Sequence, residues 1–372
     1  INNATSGTIT LQDYSVALTG SAADLAAALA GTFASTYTGN VTITDGNSTN
    51  IAATDISTID GDTNGTITIS NNVDINGTAA EIAAAVALVD TFSGTPTAEL
   101  SNAHTLAELK AINNAISGTI ALNNYAVNLS GSSEDVAAAL DGAFASTYTG
   151  DVSLSDAHTL AELKTINNGT TGQITLTNYA VGLSGSTADI KAALAGTLAS
   201  TYTGNVTLTD SNGTAIAATD ITTIDGDTSG TITVSNNINM TGSAAEINAA
   251  VAVLDTISGA PTATLNTAHT LAQLKSVNNA FSGTIALTDY TVALSGTSED
   301  VAAALAGTLA AQYTGAVTLT DTHTLAELKT INSQTTGTIT LNDYSVALSG
   351  TSADVAAALD GTFAAQYTGA VT

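Results

Sequence analysis

The chain has no cysteine, no tryptophan and no arginine, with one methionine, two prolines and five lysines in 372 residues. Without cysteine there is neither a disulfide framework nor a thiolate metal site; that absence alone does not assign a compartment. Five lysines against 32 acids give a formal charge of −27. Clustered basic residues are what a phosphate backbone or an anionic lipid surface requires, so nucleic acid is not an expected partner. Long apolar runs are missing too: Ala83–Val89 falls far short of the roughly 18 residues that span a bilayer, and no membrane insertion is expected. Phosphate loops, nucleophile elbows and His-Glu-x-x-His are absent, and every Ser, His or Asp of interest recurs with a repeat, so no enzyme is expected. Ile1 shows no signal-peptide features, and the chain reads as a fragment or a mature product.

What is present is repetition. At about 150 residues per domain, the length and a 44% hydrophobic content would suggest two or three separate domains. Self-similarity replaces that estimate. Ile-Asn-Asn or a close variant begins at Ile1, Ile112, Ile166, Val277 and Ile331, at intervals of 111, 54, 111 and 54, and hence with a superperiod of 165. The longer unit is one copy of the shorter unit joined to a diverged second copy. This divides the chain into a superrepeat over 1–165, a second over 166–330, and a partial third over 331–372 that stops at Thr372 in mid-strand. With no capping repeat visible, the array is expected to be longer than the chain.

Within a unit the pattern alternates. Thr338–Leu341 and Tyr344–Leu348 switch between large apolar and small or polar residues, as half-buried strands do. Thr351 followed by Asp354 opens an Ala-rich helix that Gly361 can close. Ala316–Thr320 is a further strand, and Thr324 with Glu327 is a capping-box pattern opening a second short helix. Helices between strands favour parallel pairing, and half-units too short to bury their apolar faces alone must stack. The expected fold is a β/α solenoid of stacked parallel short strands with short helices between them, inward ladders of Ile, Val and Leu, and a rod about 65 Å long at one rung per coil.

Asp60-Gly61-Asp62-Thr63-Asn64-Gly65 and Asp225-Gly226-Asp227-Thr228-Ser229-Gly230 carry the most specific local pattern. They resemble the first half of an EF-hand loop, with oxygens at alternate positions and glycine at the sixth. This makes Asp60, Asp62, Asn64, Asp225, Asp227 and Ser229 candidate calcium ligands, and Asp45, Asp55, Asp210 and Asp220 further oxygen donors. The twelfth position departs from the pattern, being Asn71 or Asn236 where a bidentate Glu belongs. The competing reading is a polar Asp-Gly turn. In either case a charge of −27 requires counter-cations.

His104, His158, His269 and His323 all precede the Thr cap of the second helix. A stacked imidazole line binding metal or sensing pH is one reading; packing at the helix entry, as in a hydrophobic staple, is the preferred one, and no metal is assigned to them. Ten tyrosines form five pairs of constant spacing, beginning with Tyr14/Tyr37 and Tyr125/Tyr148. They read as corner residues with packed rings and surface hydroxyls in preference to a contact stripe. Thr-x-Thr recurs on the outward side of strands, for example Thr42/Thr44 and Thr207/Thr209. The pattern looks like the Thr arrays of solenoid antifreeze proteins, but strand propensity also explains it, and Ala121 and Ala286 are expected to interrupt a flat array.

The recurring Gly-Thr-Ile-Thr-Leu, Tyr-x-Val-x-Leu-Ser-Gly, Ala-Asp-Val-Ala-Ala-Ala-Leu and His-Thr-Leu-Ala-Glu-Leu-Lys segments resemble the repeat arrays of giant secreted surface proteins of bacteria, especially cyanobacteria. The resemblance covers the whole chain and transfers no catalytic residue. It implies an extracellular or cell-surface location and a role as filament, surface-layer component or adhesin stalk. Expected partners are further copies or a continuation of the same array, with glycan or cell-surface binding as the alternative and ice binding as a more distant one.

Overall fold

A computed structural model describes residues 1–372. Short parallel strands alternate with thirteen α-helices, and no sheet closes into a barrel. The arrangement is that of a β/α repeat of solenoid type. Contacts group the chain into two compact units, one of Ile1–Tyr179 with Ala192–Ser200, the other of Ala180–Lys191 with Thr201–Thr372.

The helices form for local reasons. Thr324 accepts from the backbone N–H of Glu327 while the Glu327 carboxylate accepts from the N–H of Thr324, so the expected capping box opens Leu325–Gln334. The Ala-rich helix is Ser352–Leu359, with Thr351 as its N-cap. In Ala22–Leu29 the buried positions are Ala22, Leu25, Ala26 and Leu29, a single stripe at helical spacing.

The end of the Ala-rich helix differs from expectation. Gly361 does not close it in a left-handed conformation; Asp360 ends it in right-handed geometry, and positive φ among glycines is confined to Gly213 and Gly259. Gly361 is required for space instead. A Cβ there would lie 1.7 Å from Asn332 Oδ1, and Asn332 Nδ2 donates to the Ala357 carbonyl at 2.7 Å, one of the last helical carbonyls without an intrahelical partner. The predicted strand Tyr344–Leu348 reduces to a single bridge, Leu348↔Val371, because the chain turns at Tyr344.

Strand pairing is parallel throughout the first unit. One sheet stacks Leu18–Gly20, Val41–Ile43, Ile67–Ile69 and Thr91–Phe92. A second stacks Asn50–Ala52, Asp74–Gly77, Thr97–Leu100 and Ile120–Ala121, and a third stacks Leu129–Gly131, Val152–Leu154 and Ile174–Thr175. The second unit holds three sheets with equivalent pairs, for example Leu183↔Val206 against Leu18↔Val41. In place of continuous ladders, each sheet therefore ends after three or four rungs. The reason is a mismatch of period. Helices open at Leu106, Ser133 and Leu160, whereas Leu129 pairs with Val152 and Val152 with Ile174, so the step from helix to helix is longer than the step from strand to paired strand. Over these coils pairing slips relative to the helices and a new segment takes over as strand, whereas at Val41↔Ile67 the strand step matches that between the helices opening at Ala53 and Ala79. Inward-facing Val41, Ile43, Ile67 and Ile69 are fully buried.

Candidate functional site

Polar side chains at equivalent positions of the repeat join neighbouring coils. Tyr148 is 1% exposed, and its hydroxyl donates to the Val127 carbonyl at 2.6 Å. That hydroxyl hydrogen is then committed, so the 3.1 Å contact with His104 Nε2 has the imidazole donating to the phenol oxygen. His104 is thereby fixed as the Nε2–H tautomer, and its buried Nδ1 has no partner. His269 with Tyr313 repeats the arrangement at 3.1 Å, and His323 with Tyr367 at 3.2 Å. Burial lowers the pKa of His104, with Glu108 opposing, and burial lowers that of His269 against Asp289. Burial likewise raises the phenol of Tyr148, and lifts that of Tyr202 to about 12.

These contacts correct the sequence reading. The second tyrosine of each pair does not carry its hydroxyl to the surface: Tyr148, Tyr202 and Tyr313 are fully buried and donate to backbone. In the first of each pair, the hydroxyl of Tyr14, Tyr125 or Tyr290 accepts from the N–H three positions earlier. The histidines do pack at the helix entry, but His104, His269 and His323 each meet a tyrosine at a sequence separation of 44. That separation, which His158 and Tyr202 share, was the available signal.

Lysines and asparagines are used in the same way. Lys110 pairs with Asp135, Lys275 with Asp300 and Lys329 with Asp354, in each case the acid at the third position of the next helix. Side-chain hydrogen bonding to the lysine and the capping residue lowers these aspartate pKa values. The first Asn of the Ile-Asn-Asn motif donates to a carbonyl of the following helix, as Asn113 does to Ala138 at 2.7 Å and Asn278 to Ala303 at 2.6 Å. Asp45 accepts from the Ala22 N–H at 2.7 Å and Asp210 from Thr187 at 2.9 Å, each satisfying the N-terminus of the helix before it.

The candidate calcium ligands occupy a different backbone from the one expected. Asp60 and Asp62 lie in the last turn of the helix Ala53–Asp62, with Thr63 as C-cap and Asn64 beyond it. Asp225 and Asp227 occupy the same turn of Ala218–Asp227, with Ser229 beyond Thr228. A helical backbone sends successive side chains round its axis and does not wrap alternate oxygens about one point. Burial alone raises the pKa of Asp62 and of Asp227, so no cationic neighbour offsets it. Asp45 and Asp210 are committed to helix N-termini, and Asp220 pairs with Lys191. No three His, Asp or Glu side chains converge as a metal-ion cluster. These residues do not fit an EF-hand loop. Thr63, inside the motif, is instead a connection between coils: its Oγ1 donates to the Gly39 carbonyl at 3.0 Å.

The remaining surface feature is hydroxylic. Strand register places Thr19, Thr42, Thr68 and Thr91 on adjacent rungs of one sheet, and Ser184, Thr207, Thr233 and Thr256 on the equivalent sheet of the second unit. Ala121 and Ala286 belong to other sheets and interrupt neither column. No helix of the structure is long and apolar enough to cross a membrane. Compared with known proteins, the chain matches no family model and no curated relative.

Proposed function

We propose that the chain is a structural repeat segment of a large extracellular protein, an acidic scaffold built by adding coils, serving as part of a filament, a surface layer or an adhesin stalk. One observation carries this reading: the chemically capable side chains are spent on joining coils. His104, Tyr148, Lys110, Asp135 and Asn113 all bond to the adjacent part of the array, and each has an equivalent in the second unit that does the same. The superperiod repeats such joints without diversifying them, as a scaffold needs and a catalytic constellation does not. Negative-stain imaging of the native material tests the reading. Filaments or a lattice with a regular spacing, or uniform extended particles, agree with it; compact globules would overturn it.

A second reading, a glycan-binding module, draws on a groove that recurs in both units. Its larger copy, about 950 Å³, is lined by Leu271, Lys275, Asn279, Ser295 and Asp300, and the smaller one by their counterparts from Leu106 to Asp135. Binding of isolated glycans, lost on Asn279→Ala, would favour it.

A further inference from the structure

The Thr-bearing sheets differ from the sheets that carry Asp74 and Asn239 in how their hydroxyls are used. In the first unit the column Thr19–Thr42–Thr68–Thr91 repeats at the strand spacing of about 4.8 Å, and a residue two positions on along a strand lies about 6.6 Å away on the same face. The flanking outward positions Thr44, Ser70 and Ser93 remain in the ladder, each donating its backbone N–H to the preceding rung at 2.9–3.0 Å. Hydroxyls are thus fixed on two axes at once. The second unit repeats this with Thr209, Ser235 and Ser258 beside its own column. Shorter columns, Ser130–Ser153–Thr175 and Ser295–Thr318–Thr340, follow the same pattern over three rungs. Threonine is stiff at χ1, so the lattice needs little further ordering.

The contrast lies in the sheets of Asp74–Gly77 and Asn239–Gly242. At their outward positions stand Asp74 and Glu99, and their hydroxyls are bonded internally: Thr97 Oγ1 donates to Asp74 at 3.1 Å, and Thr262 and Thr264 both donate to Asn239 at 3.2 Å. On the hydroxyl faces the middle-rung hydroxyls of Thr42, Thr68, Thr207, Thr233, Ser153 and Thr318 make no hydrogen bond within the protein, while beside them Thr44 donates to the Gly20 carbonyl at 3.2 Å and Ser235 to the Leu208 carbonyl at 2.8 Å; the columns contain no charge. In a chain of net charge −27, a patterned uncharged face matches a neutral occupant. A second copy is a poor match, because four rungs by three residues cover on the order of 200 Å², well below the roughly 800 Å² per partner of a stable interface. No aromatic side chain stands in the columns to stack a sugar ring.

We propose that these hydroxyl arrays bind ice. A surface of ordered water is neutral, regular on two axes and rich in both donors and acceptors; the middle-rung hydroxyls, with adjacent threonine methyl groups, are free to hold such water, and the flanking Thr44 and Ser235 hydroxyls, oriented by the carbonyls they donate to, can still accept from it. This goes beyond the scaffold reading and does not rest on it.

The test is thermal hysteresis and ice-crystal shape measured on the full chain. Combining Thr68→Lys, Thr233→Lys, Ser153→Lys and Thr318→Lys places a charge in the middle of each array; a control, Glu99→Lys with Thr264→Lys, puts lysine on the contrasting sheets. Far-UV circular dichroism verifies that both variants fold. The expected result is a hysteresis gap with faceted crystals for the native chain and the control, and loss of both in the array variant. A native chain that leaves ice growth as an inert acidic protein does would overturn the proposal. So would an array variant that folds and keeps its activity.

Discussion

Residues 50–103 and residues 104–179 build the same kind of coil by different means. The first stretch contains no lysine, histidine or tyrosine. Its coils are held by fully buried Ile56, Ile59, Ile67, Ile69, Ile75 and Ile82, together with backbone caps such as Asn102 accepting from the Ala79 N–H. The second stretch adds the bonds of His104 to Tyr148, Lys110 to Asp135 and Asn113 to Ala138. Both stretches form parallel strands and short helices. The coil therefore forms without His–Tyr and Lys–Asp joints, and those joints set something else, namely how the coils respond to pH and to local opening.

The comparison breaks first if the aliphatic stack is cut. Ile67→Ala or Ile82→Ala removes a fully buried side chain from the stretch that has neither a His–Tyr nor a Lys–Asp joint. The expected cost is about 2–5 kcal/mol. Because stacked repeats couple mainly to their neighbours, hydrogen exchange should accelerate on the coils that flank the substitution and leave residues beyond Tyr148 much less affected. Uniform acceleration over the whole chain would mean that the two stretches are not energetically distinct.

Tyr148→Phe tests the jointed stretch. The ring stays, while the Val127 carbonyl and the His104 Nε2–H both lose their partner inside the protein. An unsatisfied buried polar group costs about 1–3 kcal/mol, so the loss should be measurable in urea unfolding but smaller than that of the isoleucine deletions. Tyr125→Phe loses a single accepting contact with the Leu122 N–H and should cost less again.

How much of this could be read from residues alone follows from the range of the interaction. Capping boxes such as Thr324 with Glu327 act within one helical turn and are legible, and so is the period-2 pattern of Thr338–Leu341, although only Ile339–Thr340 pairs as a strand. The joints are not legible as chemistry, because His104 and Tyr148 meet only once the chain has coiled, and a separation of 44 looks like any other consequence of a repeat. Asp60-Gly61-Asp62 reads as a loop but folds as the end of a helix, for a different reason. Glycine disfavours a helix interior by only about 1 kcal/mol, and buried Ile56 and Ile59 on the preceding turn outweigh that, carrying the helix through Gly61 to Asp62. Gly361 shows the reverse: its need for space arises from Asn332, which belongs to the preceding helix.

Acid should act on the jointed stretches selectively. Burial places the folded-state pKa of His104, His269 and His323 below the ordinary value of 6.5. The unfolded chain therefore takes up the proton first, so this contribution to stability is fully present above about pH 6.5 and is lost as pH falls towards the folded-state values. Protonation would also put a hydrogen on a buried Nδ1 that has no acceptor. Between about pH 7 and 5, hydrogen exchange should rise around His104 and Tyr148 before it rises on the coils of Ile56 to Ile82. The opposite order would detach the histidines from the acid response, and Tyr148→Phe should shift the profile without abolishing it.

Lys110→Met and Lys275→Met remove solvent-screened ion pairs, and each should lower stability less than Tyr125→Phe does, by an amount that decreases as salt rises. Lys275 should not differ from Lys110, since the two occupy equivalent places in the two units.

The smallest effect separates calcium from charge. If Asp60, Asp62 and their counterparts formed a specific site, millimolar calcium would raise the melting temperature well above what magnesium does at the same concentration. The helical backbone at Asp60–Asp62, and the commitment of Asp45 and Asp220 to other partners, lead to a different expectation. Both divalent ions should stabilise the chain modestly and alike by screening a charge of −27, and Asp62→Asn should leave that response unchanged. A calcium-specific shift abolished by Asp62→Asn would instead require the last turn of Ala53–Asp62 to unwind into a loop, a change that hydrogen exchange at Gly61 and Asp62 would record directly.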